Sequence, residues 1–142
     1  VDLITAVLAE RIEIRDDKLY VDGGAYAWFT VGALPATIAV RVGLVLVAEQ
    51  GEGLAEAVVQ LGVAGPDGQI RPELHVLRVP WPTLIAPVAG QPVVVPIAYE
   101  LPVDVLDPGR HTVIVFLGDA ETSRAALPFA VRQGGEAGVA AP

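Results

Sequence analysis

The chain has 142 residues, 53% of them apolar, and a formal net charge of −8. It contains no Cys, Met or Asn, a single Ser (Ser123), a single Lys (Lys18) and two His (His75 and His111). Disulfides and thiolate metal sites are thereby excluded, the stock of nucleophiles and bases is nearly empty, and basic residues scattered singly along an acidic chain argue against a nucleic-acid partner.

Alternation of apolar and polar residues with period two, Val and Ile enrichment, and turn residues every eight to twelve positions predict an all-β domain, an immunoglobulin-like antiparallel β-sandwich of about seven to nine strands. In chain order the strands are expected at Leu3 to Ile14, Lys18 to Val21, Ala25 to Val31, Thr37 to Val47, Glu56 to Val63, Leu74 to Val79, Val93 to Leu101, His111 to Leu117 and Ser123 to Val131. Val1-Asp2-Leu3 opens on neither a basic leader nor a long apolar run, so no secretory signal is read, and an intracellular (cytoplasmic) or virion location is expected. Arg15-Asp16-Asp17-Lys18 reads as the first hairpin turn, and Gly23-Gly24 as a bulge or sharp bend.

In the fourth strand Ile38, Val40, Val42, Leu44 and Leu46 share one face and Arg41, Val45 and Val47 the other. Such a strand is expected at the centre of its sheet, its second face covered for half its length. Gly65-Pro66-Asp67-Gly68 is a strong turn, since Pro presets φ and Gly accepts positive φ. Prolines 80, 82, 87, 92 and 96 surround Trp81 and are expected to interrupt any regular ladder. Pro96 is tolerable only at an edge or bulge, so the region reads as a crossover between sheets. The most apolar stretches, 36–48 and 84–99, are broken by Arg41 and by prolines, and neither reads as a membrane-spanning helix. Gly118-Asp119-Ala120-Glu121 closes the last hairpin.

One domain is expected over residues 1–132. The Gly/Ala-rich tail 133–142 has little of its own to hold it down, and contact with a neighbouring chain is expected to order it.

Catalysis has few candidates. His75 and His111 lie on predicted strands without a carboxylate at a ligand spacing, and read as ordinary half-buried or surface side chains. Ser123 lacks a nucleophile elbow. Asp16, Asp17 and Asp22 bracket a turn without the spacing of a calcium loop. No enzyme activity, cofactor or metal is expected. Tyr20, Tyr26, Trp28 and Phe29 read as core aromatics. Trp81, flanked by Pro80 and Pro82, reads as an exposed anchor of a protein interface, where Trp is enriched. Together with Val94, Pro96, Val139 and Pro142 these residues form the expected contact elements.

The segment Leu8-Ala9-Glu10-Arg11-Ile12-Glu13-Ile14-Arg15-Asp16-Asp17-Lys18-Leu19-Tyr20-Val21-Asp22-Gly23-Gly24, with its Asp-Asp-Lys-Leu-Tyr hairpin, resembles the opening of an uncharacterised bacterial and phage family of small β domains. Leu106-Asp107-Pro108-Gly109-Arg110-His111 and Leu127-Pro128-Phe129-Ala130-Val131 are similar to its closing pattern. The resemblance spans residues 3 to 132 and implies a β-sandwich, with no catalytic residues to carry over. Where that family has a polar tract, this chain has the apolar Val88 to Ile97, read as a contact surface.

The apolar surplus and the scarcity of reactive groups predict a non-enzymatic structural or interaction protein. It is expected to pack into a homo-oligomer or onto another structural protein, as a capsid-decorating virion accessory does, with neither nucleic acid nor membrane as partner. The alternative is a binding domain for an apolar small molecule or another protein, with Tyr26, Trp28 and Tyr99 near the ligand.

Overall fold

The computed structural model describes residues 1–24, 27–48, 56–80, 92–118 and 123–134. Over these the period-two pattern becomes nine strands: β1 (Asp2–Arg15), β2 (Lys18–Gly24), β3 (Ala27–Val31), β4 (Ala36–Ala48), β5 (Glu56–Ala64), β6 (His75–Pro80), β7 (Val93–Val105), β8 (Gly109–Leu117) and β9 (Ser123–Gln133). Two sheets pack as a sandwich, one ordered β2-β1-β4-β7 and the other β3-β9-β8-β5-β6.

Between the sheets lies an aliphatic core. β4 contributes Val40, Val42, Leu44 and Leu46, β5 contributes Val59 and Leu61, β7 contributes Leu101, Val103 and Val105, and Leu8 and Phe129 are fully enclosed. Each such side chain contributes about 1.5–3 kcal/mol on burial. β4 is central, paired with β1 on one side and along its whole length with β7 on the other.

Three expectations change. The sandwich is not wholly antiparallel, because β3 runs parallel to β9 with Trp28 opposite Ala130 and Val31 opposite Gln133. Pro96 does not break the ladder: it lies within β7, which stays paired from Val93 to Val105, while Pro82 and Pro87 lie outside the described residues. β7 is an edge strand, and Pro96 and Pro102 are an even number of residues apart, so both missing N–H groups fall in the row directed away from β4. Finally, Trp28 (53% exposed) and Tyr20 (40%) lie on the surface instead of in the core. A guanidinium covers each ring, Arg132 over Trp28 at 4.9 Å and Arg15 over Tyr20 at 3.8 Å. Tyr26 lies outside the described residues, as does 119–122 of the last hairpin.

Asp16 (φ 50°) and Asp17 (φ 57°) form the two-residue turn between the paired Arg15 and Lys18, the pair of positive φ values that matches strand twist in a hairpin. β1 pairs with β4 only as far as Ala9 and continues with β2 alone. Beyond that point the hairpin bends over the outer face of β4. A methyl group on Gly43 would meet Leu19 Cδ2 at 3.2 Å, Val7 Cγ1 at 3.3 Å and Ile12 Cδ1 at 3.4 Å. Arg41 Nη1 ties the hairpin down by donating to the Glu10 carbonyl at 2.7 Å. The second face of β4 is therefore covered by the chain's own first hairpin.

Candidate interaction surface

One end of the sandwich gathers the β5–β6 connection, residues 65–74, and the β7–β8 crossover, residues 106–108. The Gly-Pro-Asp-Gly turn forms as the sequence predicts: Gly68 N donates to Gly65 O at 2.9 Å, and Asp67 Oδ1 accepts from Gln69 N at 3.0 Å. β6 does not follow at once. Ile70 bridges back to Ala64 and Arg71 N donates to Val63 O at 2.9 Å, after which the chain crosses the outer face of β5. Gly62 leaves room for that crossing, since a Cβ there would lie 3.0 Å from Leu74 Cδ2 and 3.5 Å from Ile70 Cγ2.

Arg71 fastens this connection to the opposite sheet by donating from Nη1 to the Asp104 carbonyl on β7, and the Asp104 carboxylate accepts from Thr37 Oγ1 at 2.8 Å. Between the two connections runs an open groove of about 350 Å³, lined by Pro66, Ile70, Pro72 and Leu106 with Arg71 and Asp107 among them. Leu106 is 63% and Ile70 49% exposed. Leu106 follows the last inward-facing residue of β7, Val105, and falls on the crossover where alternation no longer directs a side chain into the core.

Behind this end sits His111, with no exposed surface and in line with the inward-facing Val113 and Val115 of β8. It is more deeply enclosed than the half-buried or surface histidine expected from sequence. Its ring stacks on Phe129 with centroids 5.3 Å apart and planes inclined by 22°. Nδ1 lies 3.2 Å from the Gly109 carbonyl, whereas Nε2 has no hydrogen-bond partner among the described residues. Burial lowers the His111 pKa below its usual 6.5. The Gly109 carbonyl opposes that shift, Arg71 adds to it and Asp107 opposes it. His75, half-buried on β6, lies against Tyr99 at 6.5 Å and does not meet His111 in a site.

The residues singled out from sequence are dispersed. Pro80 ends β6 in the exposed outward row with Val76 and Arg78. Val94 and the half-buried Pro96 stand in the outward row of β7, on the opposite face of the sandwich. Trp81, Pro82, Val139 and Pro142 lie outside the described residues. Among the described residues no three His, Cys, Asp or Glu side chains group as metal ligands, and no helix is long and apolar enough to cross a membrane.

No family model, curated protein or solved structure matches this chain.

Ile70 and Leu106 were not singled out in the sequence, yet they flank a groove between two connections, one of which Arg71 fixes to β5 and β7. A second cavity, of about 200 Å³, opens beneath the first hairpin and is lined by Ile12, Ala98 and Tyr99 together with the charged Arg41 and Glu100. The exposed Trp28 borders neither space.

Proposed function

We propose that this chain is a non-enzymatic structural or interaction module that packs into a homo-oligomer or onto another structural protein. A bacteriophage virion accessory, such as a capsid-decorating protein, is its most concrete form. One observation carries the reading: with the core filled, large apolar side chains still emerge on the surface, among them Ile4, Trp28, Ile70, Val76, Val94 and Leu106, each close to half exposed or more. Ile70 and Leu106 gather with Pro66 and Pro72 around one groove, and covering such a patch against a partner returns about 25 cal/mol per Å².

We read the sandwich as immunoglobulin-like. β4 and β7 are neighbours in one sheet, and β9, β8, β5 and β6 follow one another in the other. That order parallels strands B and E against G, F, C and C′ of variable-type domains. The resemblance of the first hairpin to the bacterial and phage family of β domains supports the same reading.

The test is sedimentation velocity of the purified chain at tens of micromolar, compared with the Ile70→Glu, Leu106→Glu double variant. The wild type is expected to sediment as an oligomer, or to be captured by a particle, and the variant as a smaller species with an unchanged circular dichroism spectrum. A wild type that stays monomeric at every concentration and binds no particle overturns the proposal.

A further inference from the structure

His111 occupies a position that its chemistry makes conditional. The Gly109 carbonyl, 3.2 Å from Nδ1, fixes the neutral tautomer with the proton on Nδ1. A second proton would have to enter at Nε2, which is buried with no acceptor among the described residues, and the resulting cation would be enclosed between Phe129 and the aliphatic core. The charged groups nearby do not offset this. Arg71, on the β5–β6 connection, repels an imidazolium, and Asp107, on the crossover, attracts it more weakly. β9 presents the apolar Phe129 opposite, and Arg110, next in sequence, is exposed on the other face of β8.

The same residues hold the groove together. Gly109, whose carbonyl anchors the ring, has φ +124° and backs onto the Pro66 ring, where a Cβ would lie 3.4 Å away. A change at His111 is therefore passed to the Gly65–Gly68 turn through a single intervening residue.

We propose that His111 is an acid-sensitive latch: neutral, it closes this end of the sandwich, and protonated, its buried charge drives the ring out of the core toward water, which takes it off Gly109 and lets the β5–β6 connection and the crossover open. The sign follows from linkage. The folded state binds the proton less readily than the unfolded chain, so stability is complete above about pH 6.5 and declines as pH falls from there through the lowered folded value. Across that window the folding constant falls up to about tenfold per pH unit.

The experiment has three arms on the full chain. Histidine NMR between pH 7.5 and 5.0 is expected to show His111 still largely neutral at pH 6.5, and a His111 that titrates near 6.5 overturns the proposal. Urea unfolding at pH 7.5 and 5.5 is expected to show a loss of several-fold or more in the folding constant of the wild type and of His75→Gln, and no such loss in His111→Phe. Equal losses in all three overturn it. Should His111→Phe fail to fold, the NMR arm and the third decide. In that third arm hydrogen exchange, corrected for intrinsic rates, is expected to lose protection first in 65–72 and 106–112 as pH falls. Uniform loss across both sheets refutes a local latch.

Discussion

The covering of β4 by the first hairpin is open to a sharp test at Gly43. An added Cβ meets three side-chain methyls at 3.2–3.4 Å, and two of them, Leu19 Cδ2 and Ile12 Cδ1, end flexible chains that can yield by tenths of an ångström. Gly43→Ala is therefore expected to be nearly neutral, small strain being offset by the roughly 0.5–1 kcal/mol that Ala gains over Gly within a strand. Gly43→Val adds two further methyls where Leu19 and Ile12 already lie. Overpacking of this kind costs about 1–3 kcal/mol. It is relieved only by lifting the hairpin, which forfeits part of the burial of two half-buried aliphatic side chains. The two routes agree on a loss of about 2 kcal/mol. Urea unfolding reads that loss, and trypsin reads the lifting, through faster cleavage at Arg11, Arg15 and Lys18. If Gly43→Val is as stable as the wild type within about 0.5 kcal/mol and equally resistant, the hairpin does not rest on β4 and the reasoning is wrong.

Phe129→Ala, which empties a fully buried site, is expected to lose about 3–5 kcal/mol in denaturant unfolding. Trp28→Ala, which gives up an exposed ring and its Arg132 partner, is expected to lose no more than about 1 kcal/mol. Replacing Asp16-Asp17 by Asn-Gly suits the two positive φ values and should raise stability by about 0.5–1 kcal/mol, visible as a higher melting temperature. Replacing Pro96 and Pro102 by Ala restores two N–H groups on the free side of β7. Monomer stability should change little, while light scattering at high concentration should rise faster than in the wild type.

The strands were legible because nearly every one has a buried side and a wet side, and β-branched residues at alternate positions record which is which. His111 was legible by the same parity, since it alternates with Val113 and Val115, although its residue type suggested a wetter place. Gly43 and Gly62 also carried a usable signal: a glycine in the middle of an otherwise bulky strand marks the close passage of another segment. Pairing across long separations left no such mark. Nothing in Ala27–Val31 declares that it will lie beside β9 in a parallel sense, and a Trp and a Phe in succession read as core when only Phe29 reaches it. Ile70 and Leu106 escaped notice because their exposure depends on where two connections meet at one end, which no local pattern encodes. Trp81, Pro82, Val139 and Pro142 fall in segments beyond those described.

The parallel pairing of β3 with β9 also sets a timetable. Among the described residues β3 has β9 as its one hydrogen-bonding neighbour, and that partner is made about a hundred residues later in the chain. Closing a separation of about a hundred residues places the domain among slow folders. Until that late step the aromatic pair Trp28 and Phe29 hangs on an unsatisfied backbone, the moment at which a nascent chain has most to gain from a chaperone.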